Sequence, residues 1–342
     1  MTKRIAVLGA GSWGTALAVL LGQKGYQVNL WARNPELASA CQNERINRRY
    51  LPGVYIPPLV QVDFDQERVL NGRDVVVLAV PSHSIREVAR EIKHFLPSET
   101  IIVNTAKGLE NRSLLRMSQV LQEELMEGFS QRIAVLSGPS HAEEVGRELP
   151  TAVVVSAPDV KVAEAVQDTF MYKYFRVYTN PDLIGVEIAG ALKNIIALGT
   201  GIAEGLGYGD NTMAALITRG LAEIARLGIA VGADAFTFAG LAGIGDLVVT
   251  CTSMHSRNRR AGIQIGRGEP LNQVVANMGM DVEGVNTTQV AYALAKKYLV
   301  EMPITTETFK VLFEGKNARE AVVSLMTRDR SHEGEKDMLN AN

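Results

Sequence analysis

The sequence predicts an α/β protein in which a domain built on a mainly parallel sheet precedes an all-helical domain. Up to about residue 180, short apolar β-branched runs alternate with longer segments of helical character. Near-continuous apolar strands that alternate with helices are typical of a parallel sheet covered on both faces. Beyond Asn180-Pro181 the strand-like runs almost vanish and helical segments remain. We therefore expect two domains, residues 1–180 and residues 181–335.

The first domain is expected to alternate strands and helices in chain order. The runs expected to form strands are short, apolar and rich in β-branched residues; they are Ile5–Leu8, Gln27–Trp31, Val75–Val80, Thr100–Asn104, Ile133–Leu136, Thr151–Val155 and Tyr174–Tyr178. The segments of helical character between most of them are Thr15–Gln23, Pro35–Cys41, Ile85–Phe95, Leu114–Leu125, His141–Arg147 and Val160–Phe170. In the second domain, Gly and Pro break the helices at Gly205–Gly209, Gly243–Gly245, Gly266–Pro270 and Met302-Pro303.

Length and charge exclude some classes of protein. The chain has 342 residues, a length more typical of two domains than of one compact core. Hydrophobic residues make up 46% of the chain and charged residues 21%, which excludes a disordered protein. Lys plus Arg number 35 and Asp plus Glu number 37, so the formal net charge is −2. Such a balanced chain has no general positive field, and we expect no nucleic-acid partner.

Cysteine and histidine give no sign of a metal site. The two cysteines, Cys41 and Cys251, lie far apart in the sequence and offer neither a disulfide framework nor a CxxC motif. The five histidines have no HExxH or similar ligand spacing. We therefore expect no bound metal.

The sequence predicts neither a targeting segment nor a membrane span. The amino terminus leads directly into a short apolar run, shorter than a signal-peptide core of at least roughly 7 residues. The most apolar stretch, residues 183–203, is interrupted by Glu187, Lys193 and Asn194. We therefore expect a cytoplasmic protein, with a charged tail over residues 328–342 that frays.

A glycine-rich turn predicts a Rossmann-type dinucleotide site. Gly9, Gly11 and Gly14 form a GxGxxG pattern that follows the strand Ile5–Leu8 and opens the helix Thr15–Gln23. The first glycine allows the tight turn, the second lets the backbone approach a pyrophosphate, and the third lets helix and strand pack closely. The helix amino terminus adds unpaired N–H groups and a partial positive charge. The alternative is a structural turn that binds no nucleotide.

The second expected strand indicates which nucleotide binds. An NAD-preferring site usually ends this strand with an acidic residue that binds the ribose 2′-hydroxyl. Here the strand ends in Trp31-Ala32-Arg33-Asn34, and the first acid is Glu36. Arg33 suits a 2′-phosphate, although it could also be a solvated loop residue. We predict that NADP(H) is accepted at least as well as NAD(H).

Two opposite charges lie isolated in apolar segments. Lys193 is surrounded by small and apolar residues in Gly190–Gly199, and Asp246 is the only charge in the segment that begins at Gly240. An unpaired buried ammonium costs several kcal/mol, so Lys193 needs a partner or a wet cleft. A purely structural ion pair would explain both residues. An amine in a cleft beside a nicotinamide could also serve as acid or base on a carbonyl or carbinol.

Two further motifs carry donors that suit an anionic ligand. Lys107 follows the strand Thr100–Asn104 and should lie at the carboxyl edge of the sheet, where open α/β sheets bind ligands. The run His255-Ser256-Arg257-Asn258-Arg259-Arg260 concentrates donors that suit phosphate oxygens. A solvated basic loop is the alternative, and the sequence does not show which of its arginines faces inward.

These motifs occur together and in order in a known family. They are GAGSWGTALA at Gly9–Ala18, NTAKGLE at Asn104–Glu110, SGPSHAEEV at Ser137–Val145, GALKNIIALG at Gly190–Gly199, GIGDL at Gly243–Leu247 and HSRNR at His255–Arg259. The chain resembles the bacterial NAD(P)-dependent glycerol-3-phosphate dehydrogenases over nearly its whole length. The resemblance implies reversible reduction of dihydroxyacetone phosphate to sn-glycerol 3-phosphate, a phospholipid precursor. It also implies a cytoplasmic homodimer with a Rossmann domain followed by an all-helical one.

The resemblance implies a role for each matching residue. Besides the glycines of the turn, the residues implied to bind NADP or NAD are Ser12, Trp13, Arg33, Lys107, Ala142, Arg257 and Glu283. The residues implied to bind substrate are Lys107, Gly138, Ser140, Lys193, Asp246, Ser256, Arg257 and Asn258. Lys193 matches the lysine that transfers the proton, with Asp246 orienting it and Lys107 adding positive charge near the carbonyl oxygen.

Two other functions compete with this one. Another dehydrogenase with the same two-domain layout could act on a hydroxy acid or a larger phosphosugar, but Ser256-Arg257-Asn258 favours a small phosphate ester. A non-catalytic redox sensor could bind the dinucleotide and signal through the helical domain. The sensor leaves Lys193 and Asp246 unexplained in apolar segments.

Overall fold

The structure, a computed structural model, describes residues 3–125 and 127–330 and divides into two compact units. The first contains the described residues up to Ala106 together with Met117–Leu183; the second contains Lys107–Arg116 and the described residues from Ile184 onward. The sequence pattern did not show that Lys107–Arg116 belongs with the second unit. The predicted domains, residues 1–180 and 181–335, stay predictions. Residues 331–335, and the predicted frayed tail from 331 onward, lie outside the described residues.

The first unit contains a parallel sheet with helices between its strands. Its strands are β1 (Arg4–Leu8), β2 (Gln27–Trp31), β3 (Ile46–Asn47), β4 (Leu51–Tyr55), β5 (Val60–Asp63), β6 (Val75–Leu78), β7 (Ile101–Asn104), β8 (Ile133–Ser137), β9 (Thr151–Ser156) and β10 (Phe175–Thr179). Its helices are α1 (Ser12–Gln23), α2 (Pro35–Glu44), α3 (Gln66–Leu70), α4 (Ile85–Ile92), α5 (Met117–Glu124), α6 (Ala142–Gly146) and α7 (Val160–Phe170).

The strand order identifies the ligand-binding edge of this sheet. The eight-stranded sheet runs β10-β9-β8-β7-β6-β1-β2-β5, and only the β8–β9 pair within it is antiparallel. The chain moves outward in one direction from β1 to β2 and β5, and in the other to β6 and β7. Open α/β sheets bind ligands at such a switch point, beyond the carboxyl ends of the strands. The glycine turn after β1 lies at this point.

Several local features differ from the expectation. The short elements β3, β4, β5 and α3 are not among the expected ones, and none of them is longer than five residues. The expected helix Leu114–Leu125 begins only at Met117, since Leu114 has a left-handed φ of 61° in a turn that its N–H closes onto Glu110 O.

The second half of the chain is helical within the described residues. Its helices are α8 (Leu183–Gly205), α9 (Asp210–Ala230), α10 (Asp246–Thr252), α11 (Arg257–Gly266), α12 (Leu271–Met278), α13 (Glu283–Tyr298), α14 (Pro303–Phe313) and α15 (Ala318–Met326). By length and composition α8 could cross a membrane, with a mean hydropathy of 1.5, but 83% of its most apolar window is buried inside the protein. This burial is typical of the central helix of a helical domain.

Glycines bring α8 and α11 into backbone contact. A Cβ added at Gly201 would lie 2.2 Å from Arg259 O, and one added at Gly262 would lie 2.2 Å from Leu198 O. Any larger residue at these two positions would push the helices apart. The contact holds the amino-terminal end of α11 against α8, and this end carries the predicted phosphate-binding residues.

Candidate active site

The glycine turn after β1 has the geometry that a dinucleotide requires. Gly9 has a φ of +114°, and a Cβ there would lie 2.6 Å from Ala79 O. A Cβ at Gly14 would lie 1.9 Å from Gly9 O. The fold itself therefore requires these two glycines. Gly11 differs, because a Cβ there would meet nothing within 4 Å in the described part of the chain. Its space is open to a ligand.

The amino terminus of α1 points donors into this open space. Gly11 is the N-cap, makes no side-chain capping hydrogen bond, and the first turn holds no acidic residue. Ser12, Trp13 and Gly14 are the first three residues of α1, and the N–H groups of such residues have no acceptor within the helix. These donors and the helix dipole favour an anion. The turn therefore fits the pyrophosphate of NAD(P), as the sequence predicts.

Arg33 is exposed just beyond the end of β2. It forms no ion pair with any of the described residues, so its guanidinium is available to a ligand. The next residue, Asn34, is occupied in capping α2, where it accepts a hydrogen bond from Leu37 N–H at 2.8 Å. The nearest acid, Glu36, is exposed in the first turn of α2.

In the second unit, two lysines bind the two oxygens of one carboxylate. Lys193 on α8 donates to Oδ1 of Asp246, the first residue of α10. Lys107 donates to Oδ2 of the same residue at 2.8 Å. Asp246 is 1% exposed and Lys193 5% exposed. The two isolated charges of the apolar segments are therefore paired, and a second lysine joins them.

The environment shifts the pKa of both buried groups. Burial lowers the pKa of Lys193 to about 8, with repulsion from Lys107 adding to the shift and attraction to Asp246 opposing it. Burial alone would raise the pKa of Asp246, but the two ammonium groups outweigh it and hold that pKa below its usual value. Asp246 is thus ionised at neutral pH, and Lys193 can lose its proton within the range of ordinary acid–base catalysis.

A bend in the backbone places Asp246 at a helix start. Residues Leu241–Gly245 form a single wide turn in which Gly243 has non-helical angles. A Cβ at Gly243 would lie 2.0 Å from Phe238 O, so only glycine fits. The first turn of α10 then presents the Asp246 carboxylate, where the helix dipole stabilises negative charge.

A chain of amide hydrogen bonds fixes the Lys107 backbone. Gly284 N–H donates to Asn258 Oδ1 at 2.9 Å, and Asn258 Nδ2 donates to Asn194 Oδ1 at 2.9 Å. Asn194 Nδ2 donates to the main-chain oxygen of Lys107 at 3.0 Å. These three hydrogen bonds connect the Lys107 segment to α8, α11 and α13. One N–H of the Asn258 amide is left for a ligand.

The structure separates the arginines of the basic run. Ser256 is the N-cap of α11 and accepts from Arg259 N–H at 3.2 Å. Arg257 is half-buried and donates to the main-chain oxygen of Asp281 at 3.0 Å. Arg259 is paired with Glu204, and Arg260 is exposed. Arg257 is thus the arginine that lies beside Asn258 and forms no ion pair with a carboxylate of the described residues.

The remaining predicted residues lie on other segments of the chain, three in the first unit and one in the second. Gly138, with a φ of +122°, and Ser140 form a turn after β8 in the first unit, where Ser140 Oγ donates to Gly138 O at 2.8 Å. Ala142 is buried at the start of α6. Glu283 is the first residue of α13 in the second unit.

Sequence reasoning missed two site residues. Thr250 accepts a hydrogen bond from Lys193 Nζ at 2.7 Å, and Asn194 bonds the Lys107 backbone. A signal for Thr250 exists, because it lies four residues after Asp246 and therefore on the same helix face. Asn194 follows Lys193 in an apolar helix, where a polar side chain needs a partner as much as a charged one does.

Comparisons with known proteins match nearly the whole chain. Residues 4–163 match the family model of the NAD-dependent glycerol-3-phosphate dehydrogenase N-terminus, and residues 182–323 match that of its C-terminus. The chain is 60% identical to a glycerol-3-phosphate dehydrogenase [NAD(P)+] of Moorella thermoacetica, over 98% of this chain and 99% of that protein. It is 57% identical to the enzyme of the same name from Pelotomaculum thermopropionicum, over 100% and 98%.

A solved structure shows the same fold. The crystal structure of glycerol-3-phosphate dehydrogenase from Coxiella burnetii matches with a TM-score of 0.91 and 40% identity, over 96% of this chain and 99% of that one. The predicted fold class, oxidoreductase class and NAD(P) cofactor are confirmed. The chain belongs to the family of NAD-dependent glycerol-3-phosphate dehydrogenases.

Proposed function

We propose that this protein reversibly reduces dihydroxyacetone phosphate to sn-glycerol 3-phosphate with NADPH or NADH, and that Lys193 transfers the proton. The observation that carries the proposal is the Asp246 carboxylate shared by Lys193 and Lys107 inside the second unit. A structural ion pair needs one lysine, whereas this cluster carries a net positive charge that suits an anionic substrate. Two relatives, 60% and 57% identical to this chain, are named glycerol-3-phosphate dehydrogenase [NAD(P)+].

The first unit supplies the cofactor site of this proposal. When bound, the reduced nicotinamide supplies the hydride that adds to C2 of the ketone. The open space at Gly11 and the donors of the first turn of α1 would hold the pyrophosphate, and Arg33 would hold the 2′-phosphate of NADP. Ser12, Trp13 and Ala142 would line the same site.

Lys193 is the proton donor in the direction of ketone reduction. Negative charge develops on the carbonyl oxygen as the C–H bond forms, and an N–H of the protonated amine can neutralise it. A pKa of about 8 leaves the amine mostly protonated near neutrality, yet allows it to act as a base in the reverse direction. Asp246 stays ionised and orients the amine, while Lys107 adds positive charge.

The amino-terminal end of α11 would hold the substrate phosphate. Ser256, Arg257 and the unused N–H of Asn258 lie together there, and the helix dipole favours an anion. Binding the phosphate away from the reacting carbon uses remote binding energy to position C2. Gly138 and Ser140 of the first unit, and Glu283 of the second, complete the proposed set of ligand-binding residues.

The assembly and location belong to the same proposal. We propose a cytoplasmic homodimer that acts on a small molecule and has no nucleic-acid partner. The support is the net charge of −2 and the close similarity to dehydrogenases of this family. Light scattering coupled to size exclusion, with and without cofactor, measures the oligomer directly.

The test is a spectrophotometric assay of the purified protein. Dihydroxyacetone phosphate should cause loss of the reduced-nicotinamide absorbance with NADPH and with NADH, and dihydroxyacetone without its phosphate should react far more slowly. Equal rates on the two ketones would contradict the assigned phosphate site. Cofactor binding without turnover would contradict the proposed enzyme and favour a sensor.

A further inference from the structure

Asn47 is the last residue of the short strand β3, and its carboxamide is buried beside the glycine turn. The residue is 0% exposed. Its Nδ2 donates to the main-chain oxygen of Ala10 at 2.9 Å and to Thr15 Oγ1 at 2.9 Å. Its Oδ1 accepts from Tyr50 N–H, in the turn between β3 and β4, at 3.1 Å. Both N–H bonds of the amide are therefore used, one on the glycine turn and one at the start of α1.

The partners of the carboxamide fix which of its ends faces the glycine turn. A main-chain oxygen has no proton to donate, so only the Nδ2 end can bond Ala10. The N–H of Tyr50 needs an acceptor, so Oδ1 faces that residue. An aspartate of the same shape could keep the contact with Tyr50 but would have no donor for Ala10.

The hydrogen bond to Ala10 determines where the next main-chain N–H points. Within a trans peptide unit the carbonyl and the N–H point in opposite directions. The Ala10 carbonyl points to the buried amide of Asn47, so the Gly11 N–H of the same peptide unit points away from it. This N–H donates to none of the described residues, and a Cβ at Gly11 would meet none of them within 4 Å. It is therefore a further donor directed into the open space at the start of α1.

Glycine at position 11 makes this peptide unit easy to turn over. Gly11 has a φ of −73°, and a flip of the peptide unit would take this angle to a positive value, which costs a glycine little. The flipped unit would direct the Ala10 carbonyl oxygen into the open space and withdraw the N–H. Gly11 thus leaves room for a ligand but does not restrain its own peptide unit. The hydrogen bond from Asn47 supplies that restraint.

We propose that Asn47 is a positioning residue that holds the Ala10–Gly11 peptide unit in the orientation that binds the pyrophosphate of NAD(P). The inference rests on the proposed pyrophosphate site at the start of α1. Pyrophosphate oxygens are acceptors, so an outward N–H favours their binding and an outward carbonyl oxygen opposes it. The cofactor site then depends on β3, a segment that the glycine motif does not include.

The first unit contains a matched control on β2. Asn29 also uses its Nδ2 to donate to two acceptors, the main-chain oxygens of Arg68 and Val69 in α3, at 3.4 and 3.5 Å. Asn29→Leu therefore removes a side-chain amide with two acceptors from the same unit, but not from the glycine turn. At position 47, Asn47→Leu removes all three hydrogen bonds, and Asn47→Asp keeps an acceptor for the N–H of Tyr50.

The experiment measures the dissociation constants of four ligands with the purified full-length proteins. NADPH, NADH and ADP-ribose contain the pyrophosphate, and adenosine 2′-phosphate does not. Asn47→Leu and Asn47→Asp should each raise the first three constants by a common factor of about ten to a hundred, as expected for a lost hydrogen bond to a charged group. The constant for adenosine 2′-phosphate should stay at the wild-type value, as should all four in Asn29→Leu. At saturating cofactor and ketone, kcat should also stay near the wild-type value.

Specific outcomes overturn this inference. Wild-type affinity for ADP-ribose in either variant at position 47 would overturn it. An equal loss for adenosine 2′-phosphate would also overturn it, because the substitution would then have disturbed the whole nucleotide site. If Asn47→Leu does not fold, as judged by thermal melting, Asn47→Asp is judged alone under the same criteria. Gly11→Val separates the two proposals: if that variant binds ADP-ribose as tightly as wild type, the proposed pyrophosphate site fails first.

Discussion

Asp246 is the side chain on which the proposed chemistry depends. Each of its carboxylate oxygens accepts from one lysine, and the residue is 1% exposed. Removing either lysine would leave a buried carboxylate with less compensation, which costs several kcal/mol. The cluster is therefore structural and electrostatic at the same time: it stabilises its own charges and retains a net positive charge for an anion.

Arg33 is expected to set the preference between the two cofactors. Arg33→Asp replaces a guanidinium that suits a 2′-phosphate with a carboxylate that repels it and can accept from a ribose hydroxyl. We predict that NADPH affinity falls by about a factor of ten or more while NADH affinity holds or improves. Fluorescence titration of the reduced cofactors measures both. An unchanged ratio of the two affinities would contradict the assignment.

The sequence predicts part of the site because buried charge needs a partner. Lys193 and Asp246 are each conspicuous in an apolar segment, and the structure pairs them. Thr250 is not conspicuous, since a threonine in a helix most often bonds its own backbone and here does so as well. Its second contact, to Lys193, depends on how α8 and α10 pack, and no local pattern in the sequence encodes that packing.

At the scale of elements, the contact of α8 with α11 positions the proposed phosphate site. Gly201 and Gly262 let the two backbones touch, so the amino-terminal end of α11 lies against α8. Asn258 then reaches Asn194, and the amide chain continues to the Lys107 backbone. A small displacement of α11 would therefore act on both the phosphate-binding residues and the Lys107 segment.

Gly262→Ala should separate the two helices. The added Cβ would lie 2.2 Å from Leu198 O, which the structure can relieve only by moving backbone. We predict a loss of about 1–3 kcal/mol in the free energy of unfolding and a raised KM for dihydroxyacetone phosphate, with cofactor affinity unchanged. Gly128→Ala is the control, because a Cβ there meets none of the described residues within 4 Å. Unchanged KM and stability in Gly262→Ala would contradict the close contact.

At the scale of the whole molecule, stability depends on a carboxyl group outside the proposed site. Glu223 on α9 is buried and accepts from the N–H groups of Ile304 and Thr305 in the first turn of α14. Burial raises its pKa to about 7 from an ordinary 4.5, although these hydrogen bonds oppose the shift. Because the folded pKa is higher, this contribution to stability is complete below about pH 4.5 and is lost as pH rises through 7.

Glu223→Gln should remove this pH dependence. The amide keeps an acceptor for the α14 N–H groups and does not ionise. We predict that the free energy of unfolding of the variant, relative to wild type, rises by up to about 3 kcal/mol between about pH 5 and about pH 8. Urea unfolding at the two pH values measures it. A constant difference between the two proteins would show that Glu223 does not titrate in this range.

The overall layout is largely predictable, while the contacts between distant segments are not. Short, continuous apolar runs between helical segments predict most strands of the sheet, because a strand covered by helices is buried on both faces. The membership of Lys107–Arg116 in the second unit depends on distant contacts, such as the ion pair of Arg116 with Glu187 on α8. Such contacts leave no local period in the sequence, so only the structure shows them.

The most direct test of the account is the turnover of Lys193→Met with dihydroxyacetone phosphate and NADPH. Methionine fills similar space without a transferable proton, and loss of general-acid help lowers rates by about 10²–10⁴-fold. The account predicts that kcat falls within this range while the affinity for NADPH, measured by fluorescence titration, stays at the wild-type value. A variant that keeps more than about a tenth of wild-type kcat would contradict the assignment of Lys193 as the proton donor.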